Sequence, residues 1–197
     1  MATSEIKIWN RTASEMQTEL VYGEAATTWA YVNPVGRWLT DNLLIRRFFS
    51  GAYGRTQDTA FSARKVPQFI KKFQIPIGDY EEPLTYSSFN QFFIRKFKQG
   101  KRPFVADAGT MAAPCEARYL AWTKIASEQT FPVKGYGLSA KELLGGHAIA
   151  EKFVGGPLLL ARLCPVDYHR FHYPDAGKTL ETYRLHGKFH SVNPVAL

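Results

Sequence analysis

The residues most able to do chemistry form one short cluster, Asp167-Tyr168-His169-Arg170-Phe171-His172, which follows an apolar run ending at Cys164-Pro165. Loops that follow a strand often carry catalytic groups. Imidazole titrates near neutral pH, so a positioned pair such as His169 and His172 can transfer protons. The residues alone leave a purely structural role for this pair equally open.

A carboxylate that could assist one of these histidines stands at Glu116, amid Ala, Pro and Cys where a strand is predicted to begin. Such a carboxylate can hold an imidazole in one tautomer, as in a Ser-His-Asp arrangement. The alternative is a surface glutamate paired with Arg118, and the residues alone favour that alternative.

Other kinds of site are poorly supported. Cys115 and Cys164 form no CxxC spacing, so we expect two reduced thiols and no zinc or other metal site. Residues 134–137 (KGYG) lack the spacing of a phosphate-binding loop. The sequence therefore directs attention to Glu116, His169 and His172.

The elements around these residues are predicted to be strands. Apolar runs at 117–125, 157–164 and 179–192 are bounded by Gly or Pro, and a capping box of Ser139 with Glu142 opens one short helix. Helices followed by strands predict an α+β fold, with N-terminal amphipathic helices before a β-rich catalytic domain. We expect a helical, basic region over 1–102 and the first part of the β-rich domain over 103–197.

The helical region contains several amphipathic segments. Residues 13–31 are weakly helical, Pro34 is placed to open a helix that ends near Gly51 and Gly54, and a further helix is predicted over 60–74. The clearest helix begins at Ser88, which Gln91 can complete as a capping box, and ends at Gly100. Its apolar stripe consists of Phe89, Phe92, Phe93 and Phe97.

The positive charge of the chain is concentrated in this helical region. Residues 34–102 contain 13 Lys and Arg against five Asp and Glu, so they hold the whole net charge of +8. This excess predicts an anionic partner. No nucleic-acid-binding motif is present, which favours an acidic membrane surface, although the aromatic stripes could equally pack on their own domain.

No apolar run is long enough to span a bilayer as a helix, and the first residues do not resemble a secretory signal. We therefore expect a peripheral protein on the cytoplasmic side of the cell membrane.

Four segments, in order, resemble motifs of the phosphatidylserine decarboxylase family. Residues 86–103 are similar to FxxFFxRxLKxxxRP, and residues 134–145 are similar to KGxxYSLxxLLG. Residues 167–177 match DYHRxHxPxxG, and residues 187–194 match GxLFSVNP. The resemblance covers about residues 86–197 and is weaker before them.

This resemblance implies a mechanism and a cofactor. In the family a proenzyme serine cleaves its own chain and leaves a pyruvoyl group, whose ketone forms a Schiff base with phosphatidylserine and accepts electrons as carbon dioxide leaves. By position, His172 and Glu116 would belong to the triad that drives self-cleavage, and His169 would assist decarboxylation or reprotonation. The implied partners are phosphatidylserine, an anionic membrane, the chain's own C-terminal α chain and a second copy in a homodimer, without nucleic acid.

Two departures from the family pattern bear on these expectations. The family's PADG segment appears as Pro114-Cys115-Glu116-Ala117, and no Gly-Ser-Thr segment occurs before Leu197. We therefore expect this chain alone to be inactive and poorly soluble, as an incomplete proenzyme. The alternatives are a relative that decarboxylates a soluble amino acid and a non-catalytic homologue that binds lipid.

Overall fold

The computed structural model describes residues 6–19, 21–81, 85–134 and 136–191. The chain divides into two compact units, each built from separate segments. Unit 1 comprises residues 1–49, 118–162 and 184–197, and unit 2 comprises residues 50–117 and 163–183. These units are defined by contacts between residues, whereas the predicted regions 1–102 and 103–197 are defined by composition. The division of the chain at residue 102 therefore remains a prediction.

Unit 1 holds the strands of the described chain, which are β1 (Lys7–Asn10), β2 (Glu15–Thr18), β3 (Arg118–Trp122), β4 (Thr130–Val133), β5 (Tyr136–Ser139) and β6 (Leu158–Arg162). They pair as three antiparallel two-stranded sheets, β1 with β2, β3 with β6 and β4 with β5. The predicted strands at 117–125 and 157–164 are thus confirmed, and they pair with each other. The presence of both helices and strands confirms the α+β class.

Unit 1 also contains helices whose ends follow from local sequence. They are α1 (Glu24–Val32), α2 (Pro34–Leu39), a π-helical turn (Thr40–Leu44), α7 (Ala140–Leu143) and a 3₁₀ helix (Ala148–Phe153). Asn33 caps α2 by accepting hydrogen bonds from Val35 N and Gly36 N, and the predicted Ser139–Glu142 capping box forms. Gly36 permits α1 and α2 to touch, because a Cβ there would lie 2.1 Å from the Trp29 carbonyl oxygen.

The regular secondary structure of unit 2 is helical, and these helices pack around an aromatic core. Its helices are α4 (Ala60–Ala63), α5 (Val66–Phe73), a 3₁₀ helix (Ile77–Asp79) and α6 (Phe89–Phe93), while α3 (Arg47–Thr56) contributes to both units. The buried residues of the core are Val66, Phe69, Ile75, Tyr80, Phe89 and Phe92. Residues Val166 and Tyr168 pack against this core, so the predicted catalytic loop rests on the helices.

Several helical predictions need correction. Residues 13–31 contain β2 as well as α1, and the predicted helix 60–74 is divided into α4 and α5. The helix predicted to open at Pro34 is divided into α2, the π-helical turn and α3, and α3 continues through Gly51 and Gly54. Helix α6 ends at Phe93, before Gly100. The early end has a physical reason, because the chain after α6 becomes extended and hydrogen-bonds residues 79–81, with Tyr80 and Phe97 forming a bridge.

The predicted strand at 179–192 is wrong over its described part, since residues 179–191 form no β-ladder. The apolar side chains that suggested a strand are exposed, with Leu180 at 89% and Leu185 at 51%. A strand needs a hydrogen-bonded neighbour as well as an alternating pattern, and no neighbouring strand pairs with this segment in the described residues. Residue 192 and the rest of the SVNP motif lie outside the described residues.

Candidate active site

The predicted catalytic loop is held by α6 and the residues that follow it. The Ser88 side chain accepts a hydrogen bond from Gln91 N and caps α6, which brings Phe93 to the loop. The Phe93 and His169 rings stack with centroids 4.0 Å apart, and the Arg170 side chain donates through Nε to the Ile94 carbonyl oxygen. The loop is therefore held on both sides of His169.

A tight turn at Cys164 determines the orientation of His169. The Cys164 carbonyl oxygen accepts from Asp167 N at 2.9 Å and lies 2.8 Å from His169 Nε2, while the Asp167 carboxylate accepts from Cys164 N at 2.8 Å. A carbonyl oxygen can only accept, so Nε2 of His169 carries the proton. The neutral ring then has its lone pair on Nδ1, the nitrogen left to act as a base.

Burial favours the neutral form of His169. Desolvation is the main cause that lowers its pKa from 6.5, and the positive charge of Arg95 acts in the same direction. The hydrogen bond to Cys164 and the negative charge of Asp167 oppose this shift. The net result is an imidazole that stays uncharged, and able to accept a proton, below the pH at which an ordinary histidine becomes charged.

Among the described residues, Glu116 is paired with Arg102. Its Oε1 accepts from Arg102 Nε at 2.6 Å, and the two side chains are 36% and 48% exposed. The Arg102 guanidinium also lies over the Phe97 ring, 4.2 Å from its centroid. The carboxylate of Glu116 is consequently oriented by a cation that is itself fixed by an aromatic ring.

His172 is tied to the segment that carries Glu116. Its backbone N–H donates to the Pro114 carbonyl oxygen at 2.9 Å, and its ring contacts Phe104 edge-on at 5.0 Å. The structure thus brings the chain at His172 to within two residues of Glu116. In the part of the chain that the structure describes, however, the Glu116 carboxylate forms no ion pair with His172.

One residue of this site, Arg95, was not predicted. It is 3% exposed, and its Nη2 atom donates to the carbonyl oxygens of Val166 at 2.8 Å and Asp167 at 3.1 Å. Its position three residues after Phe92 is the signal that could have identified it, because the helix predicted from Ser88 to Gly100 would place residues three apart on one face. In the structure α6 ends at Phe93, so Arg95 lies two residues beyond the helix and is nevertheless buried.

Among the described residues, no cluster of His, Cys, Asp and Glu could hold a metal ion, and no helix is long and apolar enough to cross a bilayer. Neither Cys115 nor Cys164 forms a disulfide, and Cys164 is buried.

Comparison with known proteins identifies the family. The family model for phosphatidylserine decarboxylase matches residues 89–197, which include all three predicted site residues. The chain is 36% identical over 193 residues to a phosphatidylserine decarboxylase proenzyme from Clostridium botulinum (strain Alaska E43 / Type E3) and 38% identical to one from Clostridium novyi (strain NT). Each match covers 98% of this chain and 65% of the relative. The chain therefore belongs to the phosphatidylserine decarboxylase family.

Proposed function

We propose that the protein to which this chain belongs decarboxylates phosphatidylserine to phosphatidylethanolamine with a pyruvoyl group formed by self-cleavage. The chain spans about 65% of the length of the curated relatives, so the proposal concerns the whole gene product. The observation that carries the proposal is His169, whose Nε2–H binds the Cys164 carbonyl and whose ring is stacked on Phe93. This arrangement supplies a neutral imidazole with one basic nitrogen, as proton transfer requires.

The proposed roles divide between two chemical tasks. His172 is the base of self-cleavage, and Glu116 is the carboxylate that stabilises its imidazolium. The hydrogen bond from His172 N to Pro114 supports this division, because it ties the two segments together. His169 gives or takes the proton during decarboxylation, through Nδ1.

The residues present fit a pyruvoyl group, judged by their chemistry. Such a group supplies an electrophilic carbonyl that accepts electrons as carbon dioxide leaves. His169 would serve such a group as a neutral proton carrier, and His172 would offer it an exposed imidazole. The aromatic wall of Phe93 excludes water from one face of His169, which strengthens electrostatic interactions there.

The test of this function is the intact mass of the native gene product purified from its own host. Two chains, the smaller beginning with a pyruvoyl group, together with release of carbon dioxide from phosphatidylserine, are the expected result. Pyruvoyl-containing chains that act only on a soluble amino acid would refute the lipid substrate. A single unprocessed chain would refute the enzyme and favour a non-catalytic lipid-binding homologue.

We also propose that the protein binds an anionic membrane surface on the cytoplasmic side. Large apolar side chains are exposed on its basic helical region, with Trp38 at 64%, Phe48 at 83% and Phe61 at 71%. Neighbouring arginines would attract acidic headgroups while these side chains enter the interface.

Vesicle sedimentation tests this membrane proposal. We expect binding to vesicles with phosphatidylserine, weaker binding with rising salt, and further loss in Phe48→Ser and Phe61→Ser. The matched control is Leu180→Ser, another exposed apolar position at 89%. Equal binding to neutral and acidic vesicles would contradict the proposal. Binding of the chain's own C-terminal part and homodimer formation remain predictions.

A further inference from the structure

Arg95 is a buried cation without an ion-pair partner in the described chain. Its guanidinium carbon lies 4.6 Å from the centroid of the Tyr80 ring and 4.8 Å from that of Phe92. No carboxylate among the described residues approaches it as an ion-pair partner, and its Nε atom has no hydrogen-bond partner there. Burial of a charge is unfavourable unless other interactions replace those with water, so the burial of this guanidinium must be offset by interactions within the protein.

Arg95 Nη1 donates a long hydrogen bond of 3.5 Å to the Phe92 carbonyl oxygen, and its shorter hydrogen bonds are made to one distant segment of the chain. Nη2 of Arg95 donates to the carbonyl oxygens of Val166 and Asp167, which lie 71 and 72 residues later in the sequence. Hydrogen bonds from a charged donor are about twice as strong as neutral ones. Because these two carbonyls belong to the turn between Cys164 and His169, Arg95 fixes the backbone of that turn.

The backbone of residues 164–167 fixes the orientation of the His169 ring. Asp167 N donates to the Cys164 carbonyl oxygen, and the same oxygen accepts from His169 Nε2. A displacement of residues 166 and 167 would move this shared acceptor away from the ring. The imidazole would then lose the hydrogen bond to the Cys164 carbonyl oxygen, which distinguishes its two nitrogens.

We propose that Arg95 is a positioning residue that holds the 164–169 turn and thereby keeps His169 as the Nε2–H tautomer, with Nδ1 as the nitrogen that exchanges protons. The catalytic part of this inference rests on the proposed decarboxylase function. The tautomer part does not, because it concerns only hydrogen bonds within unit 2.

Lysine cannot fully replace arginine at this position. The guanidinium is planar and stacks on the rings of Tyr80 and Phe92, whereas an ammonium group is a compact, strongly hydrated charge. Arg95→Lys keeps the charge and can reach one carbonyl, and Arg95→Met keeps only the apolar stem. The two variants therefore separate the charge from the planar contact.

The experiment uses the full-length gene product labelled with ¹⁵N in histidine. Long-range ¹⁵N–¹H spectra report which ring nitrogen carries the proton, and His169→Gln identifies the signals of His169. Decarboxylation of phosphatidylserine in mixed micelles gives kcat and KM for the same samples. The control is Ser62→Ala, which removes a buried hydroxyl that bonds Gln57, Thr59 and Phe89, and so perturbs unit 2 away from the turn.

We expect the wild-type His169 spectrum to show a single Nε2–H tautomer. Arg95→Met should give a mixed tautomer and lower kcat on the order of 10²-fold with KM unchanged, because displacements of about 1 Å have this effect. Arg95→Lys should be intermediate, and Ser62→Ala should match wild type in both readouts. For a variant that does not undergo self-cleavage, and so has no decarboxylase activity, the ¹⁵N spectrum of His169 alone tests the inference.

Two results would overturn the inference. One is a wild-type His169 spectrum in Arg95→Met, and the other is an equal loss of kcat in Ser62→Ala at the same measured stability. Failure of the proposed function is distinguishable from both, because it would appear as wild-type protein without decarboxylation. The tautomer comparison would still test the role of Arg95 in that case.

Discussion

The pairing of Glu116 with Arg102 leads to a sharp test of what the carboxylate does. Glu116→Gln keeps the size of the side chain and its ability to accept a hydrogen bond, but removes its charge. If Glu116 only forms the ion pair with Arg102, Glu116→Gln should affect stability alone. If it stabilises the imidazolium of His172, it slows self-cleavage.

The expected magnitudes separate these two roles. The paired side chains are 36% and 48% exposed, and ion pairs at this level of exposure contribute about 0–1 kcal/mol to stability. General acid–base assistance contributes on the order of 10²–10⁴-fold to rate. We therefore expect Glu116→Gln to lower the free energy of unfolding by less than about 1 kcal/mol and to slow self-cleavage on the order of 10²-fold or more.

The assay follows newly synthesised full-length precursor by intact mass over time, with urea unfolding measured on the same variants. Arg102→Met is the matched control, because it removes the other half of the ion pair and leaves the carboxylate in place. We expect Arg102→Met to lose more stability than Glu116→Gln, because Arg102 also lies 3.9 Å from the Asp79 carboxylate and over the Phe97 ring. Arg102→Met should nevertheless process within about tenfold of the wild-type rate, since it keeps the carboxylate proposed to assist His172.

Self-cleavage of Glu116→Gln at the wild-type rate would refute this reasoning. Equal slowing in Glu116→Gln and Arg102→Met would also refute it, because the ion pair would then account for the whole effect. A slow Glu116→Gln beside a fast Arg102→Met would assign the carboxylate to catalysis of self-cleavage.

Three further predictions concern stability, each measured by urea unfolding. The pKa of His169 is lowered from 6.5 mainly by burial, so the folded protein favours the neutral ring. The contribution of His169 to stability should therefore be fully present above pH 6.5 and be lost as the pH falls through the folded pKa. His169→Gln should flatten this dependence of stability on pH. Ser88→Ala should lose about 1 kcal/mol through loss of the α6 cap, whereas the exposed neighbour Ser87→Ala should change little; equal effects would contradict the cap. Gly36→Ala should destabilise by roughly 1–3 kcal/mol because its Cβ would meet the Trp29 carbonyl, while Gly51→Ala, with open space in a helix, should stabilise; loss in both would contradict the steric argument.

Features that depend on neighbouring residues could be predicted from sequence. Ser88 and Ser139 cap the helices expected of them, and Pro34 opens a helix after Asn33. Each of these bonds spans two or three residues, so the pattern contains the whole interaction. The histidine cluster was likewise visible, because its members are adjacent in the chain.

Features that depend on distant residues could not be predicted. The segment 179–191 has the alternating pattern of a strand, yet its described residues form no ladder, because a strand also needs a partner edge. The burial of Arg95 depends on carbonyl oxygens 71 and 72 residues away. Composition gives no sign of this burial, because arginine side chains are mostly exposed in folded proteins.

The burial of α6 also changes which residues should be tested at a membrane. The stripe of α6 was one of the aromatic faces available to lipid, but Phe92 is fully buried and Phe93 stacks on His169. These rings therefore support the predicted catalytic loop and are not available to enter a bilayer. Substitutions in α6 could reduce activity and membrane binding together, so the two effects could not be distinguished. Phe48 and Phe61, by contrast, are exposed and lie outside the aromatic core that supports the predicted catalytic loop. Lipid binding and catalysis should consequently be separable by mutation, with Phe48 and Phe61 affecting the first and Phe93 affecting the second.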